Sequence, residues 1–459
     1  MAEVKSNVFD YEKGYEVIDV TTSESVTKGD DELTAKKGKA NWINAGEGND
    51  TIYATNAFDM LAGNQGDDVI TATKAKGGVE IYGGEGDDVL TGSKYADYIA
   101  GGEGIDVIRG GKGNDILRGN TPTANDANPV EEDKDTFVFY KGDGKDIIKE
   151  ATSADVIKFA DRTSFAGLKF TKSENDLVIS DKHNTVTVAD YFNSENPVNT
   201  FELKNGTYTL EWKELNGLEK SGMYNIVNGS EQKLVSGIAN WVNSGEGNDK
   251  ITGVNAGDML AGNKGNDVIT ATKAKGGVEI YGGEGNDTLT GSKYADYIAG
   301  GEGIDVIRGG KGNDILRGNT PTADATNPAE EDKDTFVFYK GDGKDEIREI
   351  GKEDVIKLAN VNSFTQKLVG DDLVISYNGG KDSITVTDYL TNMSDFTIET
   401  KNGTTYSANV DELQGWVTAW TSATGEADFA TALENADAAE TAILASIFEQ
   451  YNFQEVPVV

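Results

Sequence analysis

Aspartates recur every nine residues along two stretches of this chain. Asp50, Asp59 and Asp68 form the first run; Asp88, Asp97, Asp106 and Asp115 form the second. Each closes a turn, and each is followed two residues later by an aliphatic residue. The fullest turns read GGEGDDVLT over Gly83–Thr91 and GGKGNDILR, with Gly111 in the second slot and Asp115 in the sixth. Glycines at fixed slots permit positive φ and leave main-chain carbonyls uncovered. A carboxylate at a fixed slot adds a hard, charged oxygen. Carbonyls plus carboxylates in a compliant loop are the donors that Ca²⁺ prefers.

The whole arrangement occurs twice. Trp42 to Tyr208 recurs as Trp241 to Tyr406, offset by 199 residues until a small deletion after residue 360. Asp249, Asp258 and Asp267 repeat the first run, and Asp287, Asp296, Asp305 and Asp314 repeat the second. From Asp68 to Ala124 the copies differ only where Asp87 becomes Asn286 and Val89 becomes Thr288.

The elements that must hold these turns are short strands. Each turn is followed by an x-U-x triplet, with one large apolar residue pointing inward. Ile52, Leu61 and Ile70 fill that slot in the first run; Leu90, Ile99, Ile108 and Leu117 fill it in the second. One buried residue per nine makes no core alone, but stacked coils bury the set as a ladder. A solvated acidic linker would not keep an aliphatic residue in phase.

The pattern G-G-x-G-x-D-x-U-x resembles the nonapeptide of RTX (repeats-in-toxin) haemolysin-type calcium-binding proteins. The resemblance covers roughly residues 40–410. It implies parallel β-rolls in which two nonapeptides make one coil, so turns 18 residues apart stack. The pairs expected are Asp50 with Asp68, Asp88 with Asp106, and Asp97 with Asp115. Asp59 has no partner in that register, and its turn (ATNAFD) has no glycine, so its site is the weakest. GSKYAD, ending at Asp97, has one. Twenty residues separate Asp68 from Asp88, which predicts a bulge around Ala75–Glu80. The fifth slot accepts Asn or Asp in the resembled family, so Asn286 leaves its site intact.

The expected fold is all-β: two tandem parallel β-rolls, each followed by a β-rich capping segment, with a short C-terminal helical tail. The boundaries are an N-terminal segment 1–37, roll 1 over 38–130, cap 1 over 131–213, a linker 214–236, roll 2 over 237–329, cap 2 over 330–410 and the tail 411–459. The caps read DTFVFYKGDGKD, DVIKF, NDLVIS and TVTVADYF, alternating patterns broken by Asp-Gly and Asn-Gly. Repeat arrays need such closure at an open end. In the tail no Lys or Arg follows Lys401, and nine acidic residues accompany apolar residues at helical spacing. Such a tail resembles the uncleaved type I secretion signal of RTX proteins.

Composition agrees with export. The net charge is −37 and cysteine is absent, so no disulfide holds the fold. An acidic surface repels nucleic acid and anionic membranes. The first twenty residues carry no apolar signal core, and no apolar run spans a bilayer. Without cation the turns repel one another, and calcium binding energy becomes folding energy. The register gives at least three paired sites per copy; six ions, carrying +12, would take the charge from −37 to −25.

Catalytic signatures are missing. The single histidine, His183, excludes H-E-x-x-H, and no G-x-S-x-G occurs. The expectation is therefore a non-enzymatic, secreted bacterial protein that binds several Ca²⁺ ions. Its partners would be calcium, the type I secretion machinery through the tail, and a cell-surface or glycan ligand, in a structural, surface-associated or adhesive role. The alternative is an accessory RTX module of an exported enzyme or toxin.

Overall fold

The computed structural model describes residues 16–19, 29–120, 133–213, 222–229, 234–319, 332–392, 395–407 and 454–456. The chain divides into two compact units: Met1–Asn216 with Ser221–Tyr224, and Gly217–Lys220 with Asn225–Val459. Each is a roll of short parallel strands.

In the first unit two ladders face each other. One runs through Asn41–Glu47, Met60–Gln65, Glu80–Glu85, Tyr98–Glu103, Ile116–Arg118, Lys145–Lys149 and Thr185–Val188, each parallel to the last. The other runs through Thr51–Tyr53, Val69–Thr71, Val89–Thr91, Val107–Arg109, Thr136–Phe139, Val156–Phe159 and Thr200–Leu203. The chain alternates between the ladders; one coil takes 18 or 20 residues within the repeats and 29 or 31 where the ladders run on past them.

The expected apolar ladder is present as two columns. Ile43, Leu61, Ile81, Ile99, Leu117 and Ile148 are in register on one side, and Ile52, Ile70, Leu90, Ile108, Phe137, Ile157 and Phe201 on the other; all are fully buried. Their chain neighbours Val69, Val89 and Val107 point outward and are exposed. That alternation is the pleat, and the columns form the core of the coils. The two extra residues between Asp68 and Asp88 lie in the turn Ala72–Val79, where Ala72, Ala75 and Val79 are tucked inward.

Parallel pairing does not stop at residue 130. Thr136–Phe139 and Lys145–Lys149 continue the two ladders from the segment expected as a cap. Antiparallel strands then follow: Asp176–Ser180 and Lys169–Ser173 on one side, Gly206–Lys213 on the other.

The second unit follows the same plan. Its columns are Val242, Leu260, Ile280, Ile298, Leu316 and Ile347, and Ile251, Ile269, Leu289, Ile307, Phe336, Ile356 and Ile398, all fully buried. Antiparallel closure comes from Thr365–Val369 with Asp372–Tyr377, and from Thr405–Ser407.

The helical tail is not supported. Its residues 411–459 lie outside the described residues except Gln454–Val456, and that piece is a strand paired antiparallel with Thr405–Ser407. The edge strand of the second unit offers unpaired main-chain groups, and the end of the chain takes them. Helix among the described residues is confined to Asn378–Gly380 and Tyr389–Asn392. No helix there is long and apolar enough to cross a membrane.

Candidate metal sites in the stacked turns

Each turn places its aspartate against the turn of the neighbouring coil. The Asp50 N–H donates to Asp68 Oδ1 at 2.7 Å, and the Asp68 N–H to Asp88 Oδ1 at 2.7 Å. Asp88 donates to Asp106 at 2.9 Å, and Asp97 to Asp115 at 2.9 Å. The three pairs expected from the 18-residue register are therefore adjacent. So is a fourth, Asp68 with Asp88, across the longer coil. In the second unit Asp249, Asp267, Asp287 and Asp305 form the same chain, and Asp296 donates to Asp314.

One carboxylate oxygen is thus used, and the second sorts the aspartates into two kinds. In Asp50, Asp68, Asp88, Asp106, Asp115, Asp249, Asp267, Asp287, Asp305 and Asp314, Oδ2 is buried and has no hydrogen-bond partner. A buried acceptor left unmatched costs about 1–3 kcal/mol, more when charged. Asp59, Asp97, Asp258 and Asp296 differ. Asp59 Oδ2 accepts from the Thr55 and Asn56 N–H groups, and Oδ1 from Asn41. Asp97 accepts from the Ser93 N–H and hydroxyl and from the Val79 N–H. Asp258 and Asp296 repeat these two arrangements. Their carboxylates close their own turns.

Glycine makes room at the open aspartates. A Cβ on Gly83 would lie 2.0 Å from Asp88 Oδ2 and 2.5 Å from the Gly101 carbonyl oxygen of the next coil. A carboxylate oxygen and a carbonyl oxygen therefore converge on the space that the missing side chain leaves. Gly86, with φ of +123°, lets the same turn close by a backbone conformation other residues avoid. Among the described residues no three acidic or histidine side chains gather at one point. The donor set is carboxylate plus main-chain carbonyl, and it suits a hard divalent cation such as Ca²⁺.

The electrostatics point the same way. Burial pushes Asp106 and Asp115 up to about 8, and Asp68 and Asp88 to about 7; the carboxylates of neighbouring coils add to this, and the main-chain N–H donors oppose it. Asp305 and Asp314 are likewise raised to about 8, and Asp287 to about 6. Ionised together at neutral pH, these groups need a counter-charge.

Sequence reasoning overlooked several members. Asp106 donates its N–H to Asp135 and Asp115 to Asp146, 29 and 31 residues on. Asp135 Oδ2 sits 2.0 Å from where a Gly119 Cβ would be, like the open aspartates. Asp31 Oδ2 and Asp345 Oδ2 are buried without partners. The signal was available at Asp146: Gly142–Ile148 reads GDGKDII, with glycine, aspartate and aliphatic residue in phase.

Five overlapping or separate stretches, 27–61, 38–70, 91–121, 236–269 and 290–320, match the family model of the RTX calcium-binding nonapeptide repeat. No curated protein matches the chain. Among solved structures, the extracellular lipase LipA from Serratia marcescens is similar at 18% identity over 70% of this chain, with a TM-score of 0.14. The chain spans 42% of that lipase.

Proposed function

Because this chain belongs to the RTX calcium-binding repeat proteins, whose nonapeptides hold Ca²⁺ at multiple sites, we propose that it is an extracellular protein whose two rolls fold on binding calcium. The observation that carries this reading is the row of buried, unpartnered Oδ2 atoms along the turns. The open aspartates named above are the ligands, extended by Asp31, Asp135 and Asp345, and by Asp334, which faces Gly318 as Asp135 faces Gly119. Asp59, Asp97, Asp258 and Asp296 close turns that lack the glycines of an open site. When bound, calcium supplies the positive charge that lets neighbouring carboxylates remain ionised and close together. The carbonyl of the next coil completes the contact, so each site spans two coils and couples them.

Extracellular calcium modules work at about 10⁻⁴–10⁻³ M, far above cytosolic levels. The chain would stay loose inside the cell, leave through a type I route read from the tail 411–459, and fold outside. Two near-identical rolls with no recognisable catalytic motif suit a non-enzymatic structural, surface-associated or adhesive role.

The test is far-UV circular dichroism during calcium titration, with magnesium as control. A cooperative gain of β signal with calcium alone supports the reading. A spectrum already β-rich in chelator and unaltered by calcium overturns it.

A further inference from the structure

The two units are almost letter-identical from Asp68 to Ala124, but the segments after their rolls diverge. In the first unit an open groove of about 730 Å³ lies beside the strands Lys169–Ser173 and Asp176–Ser180. Four cations line it, Lys141, Arg162, Lys169 and Lys182, against two acids, Asp161 and Asp181. The lining therefore carries a net +2, in a chain of net −37.

The acids are already committed. Asp161 Oδ2 accepts the Lys141 N–H at 3.0 Å. Asp181 Oδ1 accepts the His183 and Asn184 N–H groups, and its Oδ2 pairs with Arg162 Nη2. These donors and the Arg162 charge hold the Asp181 carboxyl below its ordinary value, although burial works against them. Lys141, Lys169 and Lys182 have no ion-pair partner among the described residues, so their charge faces the groove uncompensated.

The second unit shows that the fold does not need this arrangement. Its strand registers align Lys169 with Thr365 and Ser180 with Ser376. By the same register Asp161, Arg162, Asp181 and Lys182 become Asn360, Val361, Tyr377 and Asn378. The loop before the strand is three residues shorter there, 362–364 against 163–168. Val361 and Tyr377 are buried in the core. Where the second unit buries Val361 and Tyr377, the first holds a partly buried ion pair under a basic rim. An ion pair is seldom the more stable choice at such a position.

We propose that this groove is an oxyanion-binding site, unique to the first unit, for a saccharide-sized ligand bearing carboxylate or sulfate groups. Lysines supply mobile point charges to the rim, and the Arg162–Asp181 pair fixes the floor. A strongly acidic protein would otherwise repel such a ligand. This goes beyond calcium-dependent folding and is read on the calcium-loaded, folded chain.

The experiment is isothermal titration calorimetry of the full chain in calcium with three probes. They are a trisaccharide of uronic acids, a trisaccharide bearing sulfate esters and an uncharged trisaccharide. One anionic probe should bind at a single site, and which one binds identifies the anion. Lys169→Glu with Lys182→Glu should weaken it at least about tenfold, as should raising salt well above physiological strength. Lys340→Glu, at the second unit's counterpart of Lys141, should leave it unaltered. Both lysines of the double variant are exposed, and circular dichroism in calcium checks that the variant is folded. The proposal is overturned by equal binding of the uncharged probe or by silence from both anions. It is also overturned if binding survives the charge reversal, which would place a uronate on calcium instead.

Discussion

Gly101→Ala separates calcium binding from general packing. The new Cβ would lie 1.9 Å from Asp106 Oδ2 and 2.5 Å from the Gly119 carbonyl oxygen, both proposed donors to one site. Gly101 is outside the positive-φ region, so the backbone tolerates alanine there. Ordinary contact begins near 3.4 Å, so the carboxylate must retreat by roughly 1.5 Å. Calcium–oxygen bonds of about 2.3–2.6 Å do not survive such a shift. An ion held at a Kd of about 10⁻⁴ M contributes about 2.7 kcal/mol at 10 mM free calcium. For a unit of roughly 200 residues that corresponds to a Tm lower by about 5–10 °C. Thermal melts at 10 mM calcium and at calcium near the Kd, with calorimetric ion counting, read the effect. The expected result is one ion fewer and a Tm drop at 10 mM calcium that shrinks near the Kd. An unaltered ion count, or an equal Tm drop at both calcium levels, refutes the assignment of this cradle.

Three further outcomes are expected. Asp59→Asn should leave the ion count unchanged, because both its oxygens serve main-chain donors, yet destabilise its turn by about 1–3 kcal/mol in urea unfolding. Ile108→Ala should cost about 2–5 kcal/mol in the same assay, since Ile108 is fully buried between Leu90 and Phe137. In chelator, the folded fraction should fall as pH rises. Folded Asp68, Asp88, Asp106 and Asp115 titrate at about 7 to 8 against 3.8 unfolded, so the folded state binds extra protons in between. Their contribution is complete below about pH 4 and lost by about pH 8. A far-UV β signal in chelator that grows from pH 5.5 to 8 would contradict this, as would saturating calcium failing to flatten the trend.

The sequence carried the fold through its phase. Aspartate, spacer, aliphatic residue at nine-residue intervals located the columns from Ile52 to Leu117, because a coil of fixed length must return each apolar slot to the same side. Legibility ended where the spacing broke. From Asp115 to Asp146 the count is 31 residues, so GDGKDII looked like the start of something else, although Ile148 stacks on Leu117. Register belongs to the paired strands, and an insertion between coils leaves it intact. The difference between Asp59 and Asp50 was half visible. Missing glycines marked the weak turns, but only the hydrogen bonds from Thr55 and Asn56 show that the second oxygen of Asp59 is taken. The groove beside Lys169 gave no sequence signal, since its residues are gathered from three separate segments.

The chain of aspartates, each donating to the carboxylate of the next coil, also has a mechanical meaning. Within a unit the coils are joined in series, and proposed ions would sit at the joints. Tension on the chain would act on the terminal coil first, because each coil is held mainly by its neighbours. Losing one coil of 18 residues frees about 60 Å of chain, and each step would release the ion beneath it. A roll of this design lengthens coil by coil, at forces set by the calcium outside, and shortens again as the ions return.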